Sequence, residues 1–136
     1  MSTLRLEIVT PEAKTYSDDV DSVVIPGVEG EFGILPQHVP LLTQLKPGEL
    51  RVIKGGEEIR LAVGEGFVEV ADDMVAVLTD MAIRESDIDE SAAEEAIRRA
   101  EEAMKDESLS EEQSAAFQAT LQKSVAQLRV KRRRSL

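Results

Sequence analysis

Cysteine and tryptophan are absent from this 136-residue chain, and histidine occurs once, at His38. Without cysteine there can be no disulfide framework, thiolate nucleophile or cysteine-type zinc site, and a reducing intracellular compartment costs the chain nothing. A single imidazole falls short of the several that most zinc sites use. No run of 18 apolar residues occurs, so neither a membrane-spanning helix nor direct membrane insertion is expected. The opening Met1-Ser2-Thr3-Leu4-Arg5-Leu6 has no charged region leading into an apolar core, so no secretory signal is expected either. Nor is there a nucleophile–base set, a metal-ligand cluster or a phosphate loop, which argues against an enzyme and against a cofactor. The length suits one domain, or a small domain with an appendage.

Acidic residues dominate, 27 against 16 basic ones, for a formal charge of −11. Nucleic acid is therefore excluded as the main partner, because neutralising phosphates takes a basic surface. The charge is unevenly placed. Residues 1–86 carry 7 basic and 16 acidic side chains, 87–112 carry 3 and 11, and 113–136 carry 6 and none. The last stretch contains Arg129-Val130-Lys131-Arg132-Arg133-Arg134, which implies an acidic partner for the tail alone.

Hydrophobic periodicity switches once. Up to about residue 86, apolar residues recur with period two: Leu4, Leu6 and Ile8; Ile59, Leu61 and Val63; Val75 and Val77, followed by Thr79. Such alternation puts one face of a strand inward and the other in water. Breakers recur at short intervals, at Thr10-Pro11, Pro26-Gly27, Pro47-Gly48, Gly55-Gly56, Gly64-Glu65-Gly66 and Asp72-Asp73. Gly55-Gly56 and Asp72-Asp73 lie between strand patterns and predict tight hairpins. Residues 1–86 thus read as an antiparallel β-sandwich or barrel.

Residues 87–136 follow a helical grammar. Asp87 or Asp89 can cap a first helix, with Ala93, Ile97, Ala100 and Met104 on one face. Asp106-Glu107-Ser108 interrupts it, and Ser108 with Glu111 fits a capping box for a second helix striped by Phe117, Leu121, Val125 and Leu128. A linker of about four residues predicts an antiparallel helical hairpin. The fold class is therefore α+β with segregated parts, a sandwich and then a hairpin. Isolated helices of this length are marginal in water, so the hairpin needs a surface, its own sandwich or a partner. Two available surfaces would make it a switch.

Gly30-Glu31-Phe32-Gly33-Ile34-Leu35-Pro36-Gln37-His38-Val39-Pro40 closely resembles the G-E-x-G-x-x-P-x-H-x-P segment of the ε subunit of F-type ATP synthases, bacterial type. Lys46-Pro47-Gly48, Gly64-Glu65-Gly66-Phe67, Ala82-Ile83-Arg84 and Ala126-Gln127-Leu128-Arg129-Val130 are also similar to that family, so the resemblance spans nearly the whole chain. It implies a non-catalytic rotor subunit on the cytoplasmic face of the bacterial inner membrane, peripheral and part of the complex. The sandwich would sit at the foot of the central stalk, bound to the γ subunit and to the polar loops of the c-ring. The hairpin would either fold down on the sandwich or extend along γ into the catalytic α/β head, where it restrains ATP hydrolysis. The coupling ion, proton or sodium, is not readable from this chain.

The resemblance assigns Glu31, Phe32 and His38 to the c-ring interface, on one lower edge. As plain chemistry, Glu31 is a solvated turn carboxylate and His38 a structural hydrogen-bonder. Pro36 and Pro40 fix the loop's course and protect sheet edges. Arg129, Lys131, Arg132, Arg133 and Arg134 are assigned to an acidic segment of the catalytic subunit; two such cations would already complement a helix C-terminus, and five exceed that need. Some bacterial members bind ATP through an Ile/Leu-Asp-x-x-Arg-Ala motif. Here Ile88, Asp89 and Ala93 fit, but Ala92 stands where the arginine belongs and offers no cationic fork. Arg98 and Arg99 lie roughly two turns further on, so ATP binding is expected to be weak or absent. The competing reading is a free-standing adaptor whose basic tail binds anionic lipid; it lacks the second apolar signal that a stable anchor needs.

Overall fold

The computed structural model describes residues 2–133. Ten strands come first: β1 (Leu4–Val9), β2 (Lys14–Val20), β3 (Ser22–Gly27), β4 (Gly30–Ile34), β5 (Leu41–Leu45), β6 (Gly48–Lys54), β7 (Glu57–Val63), β8 (Gly66–Ala71), β9 (Met74–Thr79) and β10 (Ala82–Arg84). A 3-10 turn (Glu85–Asp87) leads to α1 (Glu90–Ala103) and α2 (Glu111–Arg132). The strands form one sheet in the order β10-β7-β6-β3-β5-β8-β9-β1-β2, with β4 paired to β3. Its inner faces share a single core containing Leu4, Leu6, Ile8, Ile25, Leu50, Leu61, Val68 and Val77, so the sheet curls into a nearly closed sandwich. The inward parity expected for β1, β7 and β9 holds. One pairing departs from the expected antiparallel plan: β1 lies parallel to β9, inserted between it and β2.

The two predicted tight turns form. Gly55 and Gly56 join β6 to β7 with φ of 58° and 80°, and Asp72 and Asp73 join β8 to β9 with φ of 51° and 59°. Both fit the left-handed geometry that a two-residue hairpin turn demands. Pro26-Gly27 is not a breaker; it closes β3, where Pro26 still accepts a hydrogen bond from the Lys46 amide. At Gly66 a Cβ would lie 1.8 Å from the Leu78 carbonyl oxygen, so only glycine lets β8 approach β9 here.

Asp89 caps α1 by accepting from the Ala92 amide at 3.0 Å. The cap of α2 is Ser110 rather than Ser108. Ser110 and Gln113 bond reciprocally, at 3.1 and 2.9 Å, while Ser108 donates its amide and hydroxyl to Asp106. An amide at the third helical position serves as well as a carboxylate, which moves the helix start and makes the linker residues 104–110 rather than about four. The helices remain antiparallel, since Arg132 near the end of α2 meets Glu90 and Glu94 at the start of α1.

The helical stripes are only partly buried. Ala93, Ala100 and Leu128 are buried, whereas Ile97, Met104, Phe117, Leu121 and Val125 are half-buried. Ser124, Ala126 and Val130 are buried as well, because the last turns of α2 are covered on two sides, by α1 and by β6 and β7. Val130 forms a small second core with Ala62 and Ile88, flanked by Met81 and Ile83. The hairpin therefore lies folded down on the sandwich.

Candidate functional site

β4 carries Glu31 beside the β3–β4 turn, opposite Pro26 in the register. Its carboxylate accepts from Arg51 Nη2 on β6 at 2.8 Å and remains about half exposed. Phe32 alternates inward, packs against the main core and fills the space where a Gly27 side chain would lie, 2.8 Å away. His38 lies beyond the far end of β4. Its Nδ1 is 2.6 Å from the Val39 carbonyl oxygen, and the preceding Gln37 amide donates to Asp73 in the β8–β9 turn. Gly27, beside Glu31, is registered with Leu45, and Leu45 with Gly66; Leu41, near His38, is registered with Val70. Glu31 and His38 thus occupy opposite ends of β5, about 13 Å apart along its five residues, and are not brought to one edge.

A feature that the sequence reading missed is an apolar outer face. Leu42 on β5, Phe67 on β8 and Leu78 on β9 are 69%, 50% and 52% exposed. Phe67 pairs directly with Leu78, and Met74 shares their face four residues away along β9. Val28, whose amide donates to Gln44, lies beside the row, because Gln44 pairs with Phe67. Large apolar side chains exposed together in this way are uncommon on an isolated soluble chain. Its signal was available: Leu41-Leu42 and Val77-Leu78 are apolar at both parities, so each strand has a greasy outer face as well as a buried one.

The basic end of α2 is engaged within the chain. Lys131 Nζ donates to the Glu85 carbonyl at 3.2 Å, and Arg132 pairs with Glu90 and Glu94. The Glu90 hydrogen bond is the main cause holding the Arg132 guanidinium even further above its ordinary value. Arg133 pairs with Glu49 of β6. From the sandwich, Arg60 Nη1 donates to the carbonyls of Val130 and Arg133 at 2.9 and 3.3 Å, satisfying the orphan end of the helix. Lys123 pairs with Asp80 at 3.5 Å. Arg129 is exposed instead and lines a cleft of about 520 Å³ with Lys46, Pro47, Glu65, Leu121 and Val125. Arg134 lies outside the described residues. The acidic partners Glu49, Glu85, Glu90 and Glu94 were invisible to motif reading because they come from three separate segments.

The degenerate nucleotide motif is occupied structurally. Ile88 is buried in the small core, Asp89 caps α1, Ala93 is buried, and Ala92 is exposed. Among the described residues no group of three His, Cys, Asp or Glu side chains is arranged to hold a metal, and no helix is long and apolar enough to cross a membrane.

Two family models match end to end. Residues 3–85 match "ATP synthase, Delta/Epsilon chain, beta-sandwich domain" and residues 86–132 match "ATP synthase, Delta/Epsilon chain, long alpha-helix domain". The chain is 45% identical over 134 residues to an ATP synthase epsilon chain of Dehalococcoides mccartyi, covering 98% of this chain and 96% of that one. It is 46% identical over 130 residues to that of Herpetosiphon aurantiacus, covering 93% and 96%. Among solved structures, a chain of the Euglena gracilis mitochondrial ATP synthase OSCP/F1/c-ring assembly superposes with a TM-score of 0.74 at 25% identity, covering 90% of this chain and 77% of that one. A chain of the Tetrahymena thermophila mitochondrial central stalk/c-ring shares the fold, with a TM-score of 0.60 at 14% identity over 96% and 97%.

Proposed function

This chain belongs to the epsilon-chain family of ATP synthases, non-catalytic stalk subunits of a rotary complex, and on that premise we propose that it couples γ to the c-ring and restrains ATP hydrolysis with its C-terminal helices. Residues 1–86 act as the clamp and residues 87–136 as the movable arm. The complex would hold it as a peripheral subunit on the cytoplasmic face of a bacterial membrane. Its outer face of Leu42, Phe67, Met74 and Leu78 is the surface offered to γ, since a large exposed aromatic and aliphatic cluster is what a permanent partner covers. Glu31, half exposed beside the β3–β4 turn, is offered to the polar loops of the ring, and His38 serves a separate contact at the other end of β4.

The observation that carries the reading is how the arm is held. Against a main core drawn from nearly every strand, the sandwich side of α2 buries only a small cluster around Val130, and the rest of its grip is polar: hydrogen bonds from Arg60 and Lys131 to backbone carbonyls, and the ion pairs Lys123–Asp80 and Arg133–Glu49. The more exposed of these ion pairs, such as Lys123–Asp80, contribute little each. Lys131 and Arg133, which tie the arm to the sandwich, and Arg132, which ties α2 to α1, are cations that would meet an acidic segment of the head once the arm swings out, joined by Arg129 and Arg134. Nucleotide need not be part of this control, because Ala92 supplies no cation and Ile88 and Asp89 already serve the fold.

Truncation after Ser86 tests the proposal. The shortened chain is expected to bind γ while ATP hydrolysis by the assembled complex rises; unchanged hydrolysis would refute restraint by these helices.

A further inference from the structure

Glu31 and the end of α2 are joined by an unbroken run of charges across the outer face of the sheet. Arg51 on β6 stands directly opposite Arg60 on β7 in the strand register, a like-charge pairing that is unfavourable unless a carboxylate intervenes. Glu49 is that carboxylate. One oxygen lies 3.6 Å from Arg60 Nη1, and the other lies 3.8 Å from Arg51 Nε and also takes Arg133 from α2. Three guanidinium groups thus share one carboxylate. Arg51 tolerates its weak share because Glu31 holds its Nη2 at 2.8 Å. The Arg51 Nε is nonetheless buried with no hydrogen-bond partner among the described residues.

That orphan donor gives the arrangement a direction. A buried N–H without an acceptor is costly, and the Glu49 carboxylate oxygen at 3.8 Å lies roughly half an ångström beyond hydrogen-bond range. Withdrawing Glu31 leaves Arg51 with an uncompensated charge, which draws Glu49 toward it and repels Arg133. The same movement takes Glu49 from Arg60, whose Nη1 caps α2 through the Val130 and Arg133 carbonyls.

We propose that Glu31 controls the grip of the sandwich on the C-terminal helix through Arg51 and Glu49, so that any partner group that draws Glu31 away from Arg51 loosens the hairpin. The proposal deepens the functional reading given above, since it is there that Glu31 faces the ring and the hairpin moves. The linkage is reciprocal: lifting α2 returns Glu49 to Arg51 and frees Glu31 to bind its partner more tightly.

Because the chain has no cysteine, Val130→Cys places a unique thiol on α2 at a fully buried position facing the sandwich, and its labelling rate in the isolated full-length chain reports undocking. Glu31→Gln is expected to raise that rate about two- to five-fold, the size of an exposed ion-pair effect, and the rise should collapse in high salt. In an Arg51→Gln background the same substitution should change nothing, since the relay is already cut. Hydrogen exchange of the amides of residues 126–132, on the chain without the cysteine, must rank the variants alike, which guards against a Val130→Cys chain that no longer docks. An unchanged rate in Glu31→Gln, or an equal rise with Arg51 absent, overturns the relay. Neither measurement involves ATP hydrolysis, so the relay can fail while restraint by the helices stands, and the reverse.

Discussion

Arg60, on the seventh strand, donates a 2.9 Å hydrogen bond to the backbone carbonyl of Val130, seventy residues away on the last helix. The pair joins the two halves of the chain at the point where a helix has carbonyls with no partner of its own, and it brings a positive charge to the negative end of the helix dipole. Arg60→Met keeps the aliphatic stem and removes the donor. A charged hydrogen bond of this kind contributes about 1.5–3 kcal/mol, so exchange of the α2 amides should quicken by roughly 10- to 150-fold. The thermal midpoint of the sandwich should hardly move, because Arg60 lies outside its core. Equal loosening of strands and helix would show that the two parts do not move separately.

Gly66 gives a test of the sandwich itself. Gly66→Ala drives a methyl group into the Leu78 backbone, which cannot step aside as a side chain could, and should cost at least about 1–3 kcal/mol in urea unfolding. Gly33→Ala is the matched control: its Cβ would meet nothing within 4 Å, and the change should stay within about 0.5 kcal/mol. Similar midpoints for the two variants would contradict the close approach of β8 to β9.

Most of the sandwich was legible because its physics is local. Leu4, Leu6 and Ile8 alternate, and Gly55-Gly56 needs no tertiary information to turn. The parallel pairing of β1 with β9 was not legible, since nothing within either strand specifies a partner some seventy residues away. Ser108 misled for a related reason: its spacing to Glu111 is that of a capping box, but Asp106 captures it first, and Ser110 with Gln113 does the work. The stripe Phe117, Leu121, Val125 and Leu128 describes one covered side of α2, and the second cover over Ala126 and Val130 depends on where the sandwich happens to lie. The basic run was plain in sequence. That Lys131, Arg132 and Arg133 are paired within the chain could be read only from the fold, because Glu49, Glu85 and Glu90 converge through topology.

Stability should depend on pH at both extremes. Asp18 is held below the ordinary carboxylate range chiefly by its hydrogen bond from Lys54, Glu7 by Lys14 and then Ser17, and Asp106 by the Ser108 hydroxyl and amide. The folded chain therefore binds protons at these sites more weakly than the unfolded one. Their stabilisation is complete above about pH 4–5 and is lost as pH falls through the lower folded values. Lys54 runs the other way: its folded value is raised by Asp18, so its contribution is complete below about pH 10 and is lost as pH rises through the higher folded value. Asp18→Asn should flatten both limbs of a plot of urea midpoint against pH, modestly and less so in salt, because the pair is exposed. An unaltered acid limb would show that this ion pair does not contribute.

Phe67 and Leu78 give the sharpest test of the outer apolar face. Each is about half exposed, so replacement by serine forfeits only part of the roughly 1.5–3 kcal/mol that a fully buried side chain of this size contributes, and the isolated chain should unfold within about 1 kcal/mol of the parent. At an interface the same residues would be fully desolvated by the partner, and central aromatic anchors commonly cost more than 2 kcal/mol when truncated. Binding of γ should accordingly weaken more than tenfold for Phe67→Ser and Leu78→Ser singly, and less than additively for the pair, because the two are direct cross-strand neighbours. Val9→Ser, at the next strand in register with Leu78, is already half-buried and should show a smaller loss. If both serine variants bind γ as the parent does, this face belongs to some other contact, and γ must be held through the hairpin or through the edge strands.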